Sequence, residues 1–311
     1  VVALSPRVSR LRAPNKSAMT LDGTNGYVVD GGDGAWIAID PGPDIQTHVD
    51  AFVEAARERG ARYEAILVTH GHPDHYPAAA PLARATGAPV YAHPAARFPH
   101  DRTLAEGDRV SAGGATIVAL ESPGHAPDHL VFVLEGERAL FTGDVILGTG
   151  TVSIAPPNGD MRLYQRTLHR LRDDYGDASA IYGGHGPEVR DARAKIDEYI
   201  AHRERREAEI LAILAAGPAT IPTLVESIYR DVDRGLWPAA ARQVLAYLIA
   251  LERESRVTAT PLDVPLTPEQ HRLLDPDLRR LLHERDLAVA RAELGFGTEP
   301  ARLVEYALVT R

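Results

Sequence analysis

Thr69-His70-Gly71-His72-Pro73-Asp74-His75 is the stretch on which the reading of this chain turns. It follows the apolar run Ile66-Leu67-Val68, which reads as the end of a buried strand. A strand end is a rigid place from which to project side chains, and Gly71 and Pro73 let the backbone curl there. Three imidazoles and a carboxylate within six residues suit zinc, a borderline ion of low coordination number. Manganese and iron accept the same donors.

Three further pieces lie downstream, each closing an apolar run: Ser122-Pro123-Gly124-His125, Phe141-Thr142-Gly143-Asp144 and Tyr182-Gly183-Gly184-His185-Gly186. In each, a small residue lets the chain turn before one ligand-type side chain. Brought to one sheet edge, the four pieces supply seven ligands: His70, His72, Asp74, His75, His125, Asp144 and His185. Seven are enough for two divalent ions with positions left for water. A lone Gly-His pair would carry little weight, whereas four strand-end pieces in this order are hard to obtain by accident.

Composition narrows the chemistry. The chain has 311 residues and no cysteine, which excludes a cysteine nucleophile, an iron–sulfur cluster and a zinc ribbon. Any metal must be held by His, Asp or Glu, and nine of the 13 histidines fall between residues 70 and 185. With 44% hydrophobic and 25% charged residues the chain is globular, not a disordered or collagen-like one. A net charge of −9 does not predispose it to bind nucleic acid or an anionic membrane. Its apolar runs are too short to span a bilayer. Residues 1–12 lack a signal-peptide core, so a cytoplasmic protein is expected.

The first 200 residues alternate short apolar runs with helical patterns. Strands are predicted at 26–30, 35–40, 65–69, 89–92, 115–120, 130–134, 139–142 and 180–182, and helices at 45–59, 77–86 and 161–172. Residues 109–120 read as a hairpin around Gly113-Gly114. This order predicts a layered α/β domain over 1–200 with its sheets inside. From 191 to 216 runs a long Arg- and Glu-rich helical pattern, ended by Gly217-Pro218. Thr220 then caps a helix with Pro222 in its first turn. Another helix follows Trp237-Pro238, and 256–260 reads as β. Residues 201–260 thus read as a small winged-helix domain. Residues 261–311 open on three prolines and read as a helical extension, with helices near 276–294 and 299–308. At about 50 residues this tail is too short for a comfortable core of its own. It is expected to pack on the rest of the chain or to form a homodimer contact with a second subunit.

The set HxHxDH, GH, TGD and GHG resembles the metallo-β-lactamase superfamily, an αββα sandwich, over about residues 8–200. The resemblance sharpens toward the subgroup of β-lactamase-like protein 2 through Thr20-Leu21-Asp22-Gly23-Thr24-Asn25-Gly26-Tyr27 and through Gly217-Pro218-Ala219-Thr220-Ile221-Pro222. It implies two divalent ions, zinc above all, bridged by a hydroxide nucleophile. One ion would take His70, His72 and His125, the other Asp74, His75 and His185, with Asp144 between them. It also implies a catalytic role for Asp74 in orienting the nucleophile or carrying its proton.

Other residues are weighed beside these. Asp40 resembles a turn aspartate that buttresses the site, and His129 reads as a support rather than a ligand. His93, His100 and His169 read as surface residues. Asn25 lies in an early loop and is a candidate substrate contact. Tyr76, where relatives often carry a small residue, could donate to a developing oxyanion or simply pack. The substrate expected is an ester, thioester or lactone with a small or carrier-linked acyl group. The alternatives are single-stranded RNA, as the subgroup implies, and promiscuous β-lactam hydrolysis. A non-enzymatic DNA-binding sensor fits less well. Residues 202–260 hold eight arginines against eight acids, and the predicted helix over 238–253 carries only Arg242 and Arg253 as cations. That is poor for phosphate contact.

Overall fold

The computed structural model describes residues 1–274 and 302–309. It divides into two compact units: Val1–Val152 with Thr167–Asp197, and Ser153–Arg166 with the chain from Glu198 onward.

In the first unit seven strands form a sheet in chain order: β1 (Val2–Ala3), β2 (Val8–Arg12), β3 (Asn25–Asp30), β4 (Ala35–Ile39), β5 (Arg62–Leu67), β6 (Val90–Ala92) and β7 (Arg102–Thr103). β1 to β4 pair antiparallel. β4 to β7 pair parallel. Parallel neighbours need crossovers, and α1 (Gln46–Glu58) and α2 (Ala79–Thr86) supply those between β4, β5 and β6. A second sheet holds β8 (Arg109–Ala112), β9 (Ala115–Glu121), β10 (Leu130–Leu134), β11 (Ala139–Gly143) and β12 (Ile181–Gly183), in the order β12-β11-β10-β9-β8. β8 to β11 are antiparallel hairpins, and β12 joins β11 in parallel.

Successive strand residues face opposite ways, and both faces of the first sheet are covered. Val29, Ile37, Ile39 and Leu67 pack with Ile117, Phe132, Phe141 and Tyr182 of the second sheet. Their sequence neighbours Val28, Trp36, Ala38 and Ile66 pack with Val49, Phe52 and Leu82 of the two helices. This explains why β4 is apolar at every position rather than at alternate ones. On the far side, α3 (Met161–Tyr175) is tied to the second sheet's edge. The Thr167 hydroxyl donates to the Pro123 carbonyl, and Arg170 to that of Glu121. The layers are α, β, β and α.

The second unit takes up α4 (Ala192–Ala216), which begins in the first, and then β13 (Ala219–Thr220), α5 (Ile221–Ile228), α6 (Trp237–Arg253), β14 (Val257–Pro265), α7 (Pro268–Leu274) and β15 (Arg302–Leu308). Thr220 caps α5 as its sequence predicts, its side chain accepting from the Thr223 N–H, with Pro222 in the first turn. The three strands form one sheet in the order β13-β15-β14. Helix α6 is enclosed: no residue from Ala240 to Leu251 is exposed. Segment 153–166 belongs to this cover, since Arg242 donates to the Pro156 carbonyl at 2.9 Å and Arg253 pairs with Asp160 at 2.8 Å.

One expectation fails. The helix predicted over 299–308 is a strand from 302 onward: β15 pairs with both β13 and β14, and Tyr306 is buried. Val304 and Tyr306 favour strand, and two flanking strands offer hydrogen bonds that outweigh a helical local pattern. This strand is therefore part of the winged-helix sheet of its own chain, not of a helical extension. The helix predicted near 276–294 lies outside the described residues. β2 went unrecognised because two arginines interrupt its apolar pattern. No helix among the described residues is long and apolar enough to cross a membrane.

Phe52 is fully buried between α1 and the first sheet, within contact of Tyr63 and His48. Phe52→Ala is expected to cost about 3–5 kcal/mol of stability, as measured by denaturant unfolding.

Candidate metal centre

Every proposed ligand follows the C-terminal end of a strand. His70, His72, Asp74 and His75 follow β5, His125 follows β9, Asp144 follows β11 and His185 follows β12. Because β9, β11 and β12 all point one way, their ends share one edge of the second sheet. Backbone bonds bring β5 to that edge: the Leu130 N–H donates to the Thr69 carbonyl at 2.8 Å, and that of Gly184 to Gly143 at 2.8 Å.

Close approach demands glycine. A Cβ on Gly184 would lie 2.5 Å from Asp144 Oδ1 and 2.6 Å from His75 Cε1. A Cβ on Gly143, whose φ is +45°, would lie 2.6 Å from Thr69 Oγ1. Gly143 and Gly184 are thus required by close neighbours as well as by the turn.

The histidine tautomers follow from their partners. The Thr69 hydroxyl donates to Asp40 Oδ2 at 2.7 Å, so it can only accept from His70 Nδ1 at 3.0 Å. His75 Nδ1 donates to the same Asp40 oxygen at 2.8 Å. Both rings then carry their lone pair on Nε2. Those two atoms and Asp144 Oδ1 are buried and make no hydrogen bond. Buried polar atoms are rarely left so, and three acceptors aimed at one place are what a cation satisfies.

The donors fall into two groups, His70, His72, His125 and Asp144 in one and Asp74, His75 and His185 in the other, with ligand atoms in each within 4.8 Å of one another. His185 Nε2 is 3.2 Å from Asp74 Oδ2, and His75 Nε2 is 3.5 Å from it. Asp144 Oδ1 lies 3.4 and 3.5 Å from His75 and His185 Nε2, while its Oδ2 is 3.7 Å from His125 Nε2. Donors around a tetrahedral zinc ion with bonds of about 2.0–2.1 Å stand about 3.3 Å apart. The residues therefore fit a divalent cation, and Asp144 faces both groups.

Electrostatics agree. Burial disfavours charge and, with His75, His72 and His129 nearby, holds His70 well below the usual imidazole range. Burial also lowers His72. At Asp74 burial is outweighed by the imidazoles of His75 and His185, and at Asp144 by those of His185 and His75, so both carboxyls stay ionised below their usual range. Reciprocally, burial is outweighed at His75 and His185 by these carboxylates, and His185 is pushed up to about 10. The anionic oxygens thus favour positive charge beside them. A divalent ion would take over that role.

The structure relocates two candidates. Asn25 is fully buried, and its amide donates to the carbonyls of Gly183 and Gly186 at 3.0 and 2.9 Å. It holds the loop of His185 and is not open to a substrate. Tyr76 stacks on Phe98, ring centroids 4.3 Å apart, so its ring packs beside the site. His129 is buried, stacks on His70 at 4.7 Å, and accepts the Asp144 N–H at Nε2. His169 is exposed and His93 lies 3.6 Å from Glu121. Sequence reading missed Thr69, Thr24 and Asp128. The last accepts the Gly71 N–H at 2.9 Å, and Thr24 donates to Asp74. Thr69 is signalled by its place before His70 and Asp128 by its nearness to His125, whereas Thr24 has no ligand near it in the sequence.

Gly184→Ala should displace Asp144 or His75. Divalent-metal binding by the purified variant, measured by metal analysis, is expected to fall while its circular dichroism stays that of the parent.

A family model of the metallo-β-lactamase superfamily matches residues 19–185, and one of the β-lactamase-associated winged-helix domain matches 220–262. The chain is 34% identical to a β-lactamase-like protein 2 homolog of Caenorhabditis elegans, over 82% of this chain and 87% of that one. It is 32% identical to an atrochrysone carboxyl ACP thioesterase of Aspergillus fumigatus, over 74% and 75% of the two chains. A metallo-β-lactamase family protein of Thermus thermophilus shares the fold with a TM-score of 0.69 at 24% identity, over 83% and 97%. With its strand-end His and Asp donors and its winged-helix unit, the chain belongs to the metallo-β-lactamase superfamily of hydrolases.

Proposed function

We propose that this chain is a dinuclear zinc hydrolase acting on carrier-linked or small acyl thioesters and related esters. The observation that carries the two-ion reading is Asp144, with one oxygen toward His75 and His185 and the other toward His125. His70, His72 and His125 would hold one ion, Asp74, His75 and His185 the other, and Asp144 both. When bound, such ions polarise an acyl carbonyl and activate water near neutral pH. The donor set, nitrogen and oxygen without thiolate, supports an open site of this kind over a closed structural one.

The chain's own residues supply position and proton traffic. Asp40 orients His75 and, through Thr69, His70. His75 and His70 are 0% and 1% exposed, whereas the Asp74 side chain is 24% exposed. Asp74 is thus the ionised carboxylate that reaches solvent, and it is suited to accept a proton from water and pass it to the leaving group. Similarity to a protein named as an acyl-carrier thioesterase supports the substrate class. A nucleic-acid substrate gains less support from charge: the net charge is −9, and residues 202–260 hold eight arginines against eight acids.

Purified protein is expected to carry close to two zinc ions per chain by elemental analysis. Among aryl esters, acyl thioesters, lactones, nitrocefin and labelled single-stranded RNA, thioesters should be turned over fastest, and chelator should abolish that turnover. Asp74→Ala is expected to lower kcat by about 10²–10⁴-fold, the range for a positioned acid–base group. His72→Ala should abolish activity as well. Retained thioesterase activity in either variant, or turnover confined to RNA, would reject this reading.

A further inference from the structure

Residues 20–27 distinguish this chain's N-terminal region, yet the ligand set uses none of them. We infer that this segment acts as a clip for one metal subsite, that of Asp74 and His185, through a directed hydrogen-bond relay from Asn15 to Thr24 to Asp74. The inference rests on the two-ion reading above.

The direction of the relay is fixed by chemistry. The Thr24 backbone N–H is a donor only, so the Asn15 atom that meets it at 2.9 Å must be the amide oxygen. The Asn15 amide nitrogen is then the atom 2.9 Å from Thr24 Oγ1, and it donates there. The single hydroxyl proton of Thr24 is left pointing the other way, at Asp74 Oδ2, 2.8 Å off. That oxygen is the one facing His185 and His75. Thr24 is fully buried, so water does not compete for the bond.

The same segment holds the other wall of this subsite. His185 Nδ1 faces the Gly23 carbonyl at 3.4 Å, and the Asn25 N–H donates to the Gly184 carbonyl at 2.7 Å. Asn25 secures Gly183 and Gly186, and Tyr27 donates to the Gly183 carbonyl at 2.6 Å. Gly23 is itself demanded by the fold: its φ is +120°, and a Cβ would sit 2.1 Å from the Ala13 carbonyl oxygen. Ala13 also holds the segment through its N–H, which donates to the Thr24 carbonyl at 2.8 Å. On the other side, His70 Nδ1 is held by Thr69 at 3.0 Å, and His72 Nδ1 lies 3.0 Å from His125 Nε2. The two subsites therefore have different supports, and Thr24 is a positioning residue for one of them. Groups that orient a ligand from behind typically contribute a factor of about 10–100 in metal affinity.

Thr24→Val keeps the shape and removes the hydroxyl. Zinc ions titrated into the metal-stripped full chain, followed by calorimetry, should bind wild type in two steps. In Thr24→Val the step that fills the Asp74 subsite, hereafter the second, is expected to weaken by about 10–100-fold and the other to stay unchanged. Thr24→Ser, which restores the hydroxyl, should recover the second step. Asn15→Ala, at a half-exposed position, should weaken the second step in the same direction by a smaller factor, and it serves if Thr24→Val does not fold. Equal loss of both steps, failure of Thr24→Ser to restore the second, or wild-type affinities in Thr24→Val and Asn15→Ala would overturn the relay while the two-ion site stands. A wild-type chain that binds one ion would overturn the two-ion reading and the relay with it.

Discussion

The site depends on one buried carboxylate that is not itself among the proposed ligands. Asp40 accepts the Thr69 N–H at 2.7 Å, the Thr69 hydroxyl at 2.7 Å and His75 Nδ1 at 2.8 Å. These bonds tie the end of β4 to the end of β5 and set two imidazoles in one tautomer. Charge-assisted hydrogen bonds of this kind are stronger than neutral ones, and a carboxylate so surrounded tolerates burial. Asp40 holds a backbone φ of +46°, a conformation that costs a non-glycine residue free energy. Its three bonds are what maintain it.

From that anchor the remaining ligands are placed by strand direction and by glycine. The parallel β11 and β12 present Asp144 and His185 side by side, and Gly143 and Gly184 let their backbones approach without a side chain between them. The result is a set of donors fixed by hydrogen bonds and by backbone contact, with buried imidazoles at its base and the Asp74 carboxylate toward solvent. Rigidity below and access above are what a hydrolytic centre needs: fixed charge where the reaction develops charge, and an open face for the acyl group.

The second unit has a different logic. Its core includes Arg203, fully buried with its guanidinium 5.1 Å over the Tyr164 ring, and the apolar face of α6, with Val244, Leu248 and Leu251 buried. Its third strand, β15, begins 37 positions after β14 ends, so the sheet closes only when the chain returns to it.

By itself the sequence determined the donor set, the strand-end pattern that carries it, the alternation that makes an α/β sandwich, and the cap at Thr220. These are local: each follows from a residue type and its near neighbours, such as His70 after Ile66-Leu67-Val68. Tertiary structure alone decided that Asn25 supports a loop instead of meeting a substrate, that Tyr76 packs on Phe98, that 302–308 is a strand, and that Thr24 reaches Asp74 from fifty residues away. Hydrogen bonds and ring contacts between distant segments leave no periodic trace, because their partners are set by how strands are layered and not by spacing along the chain.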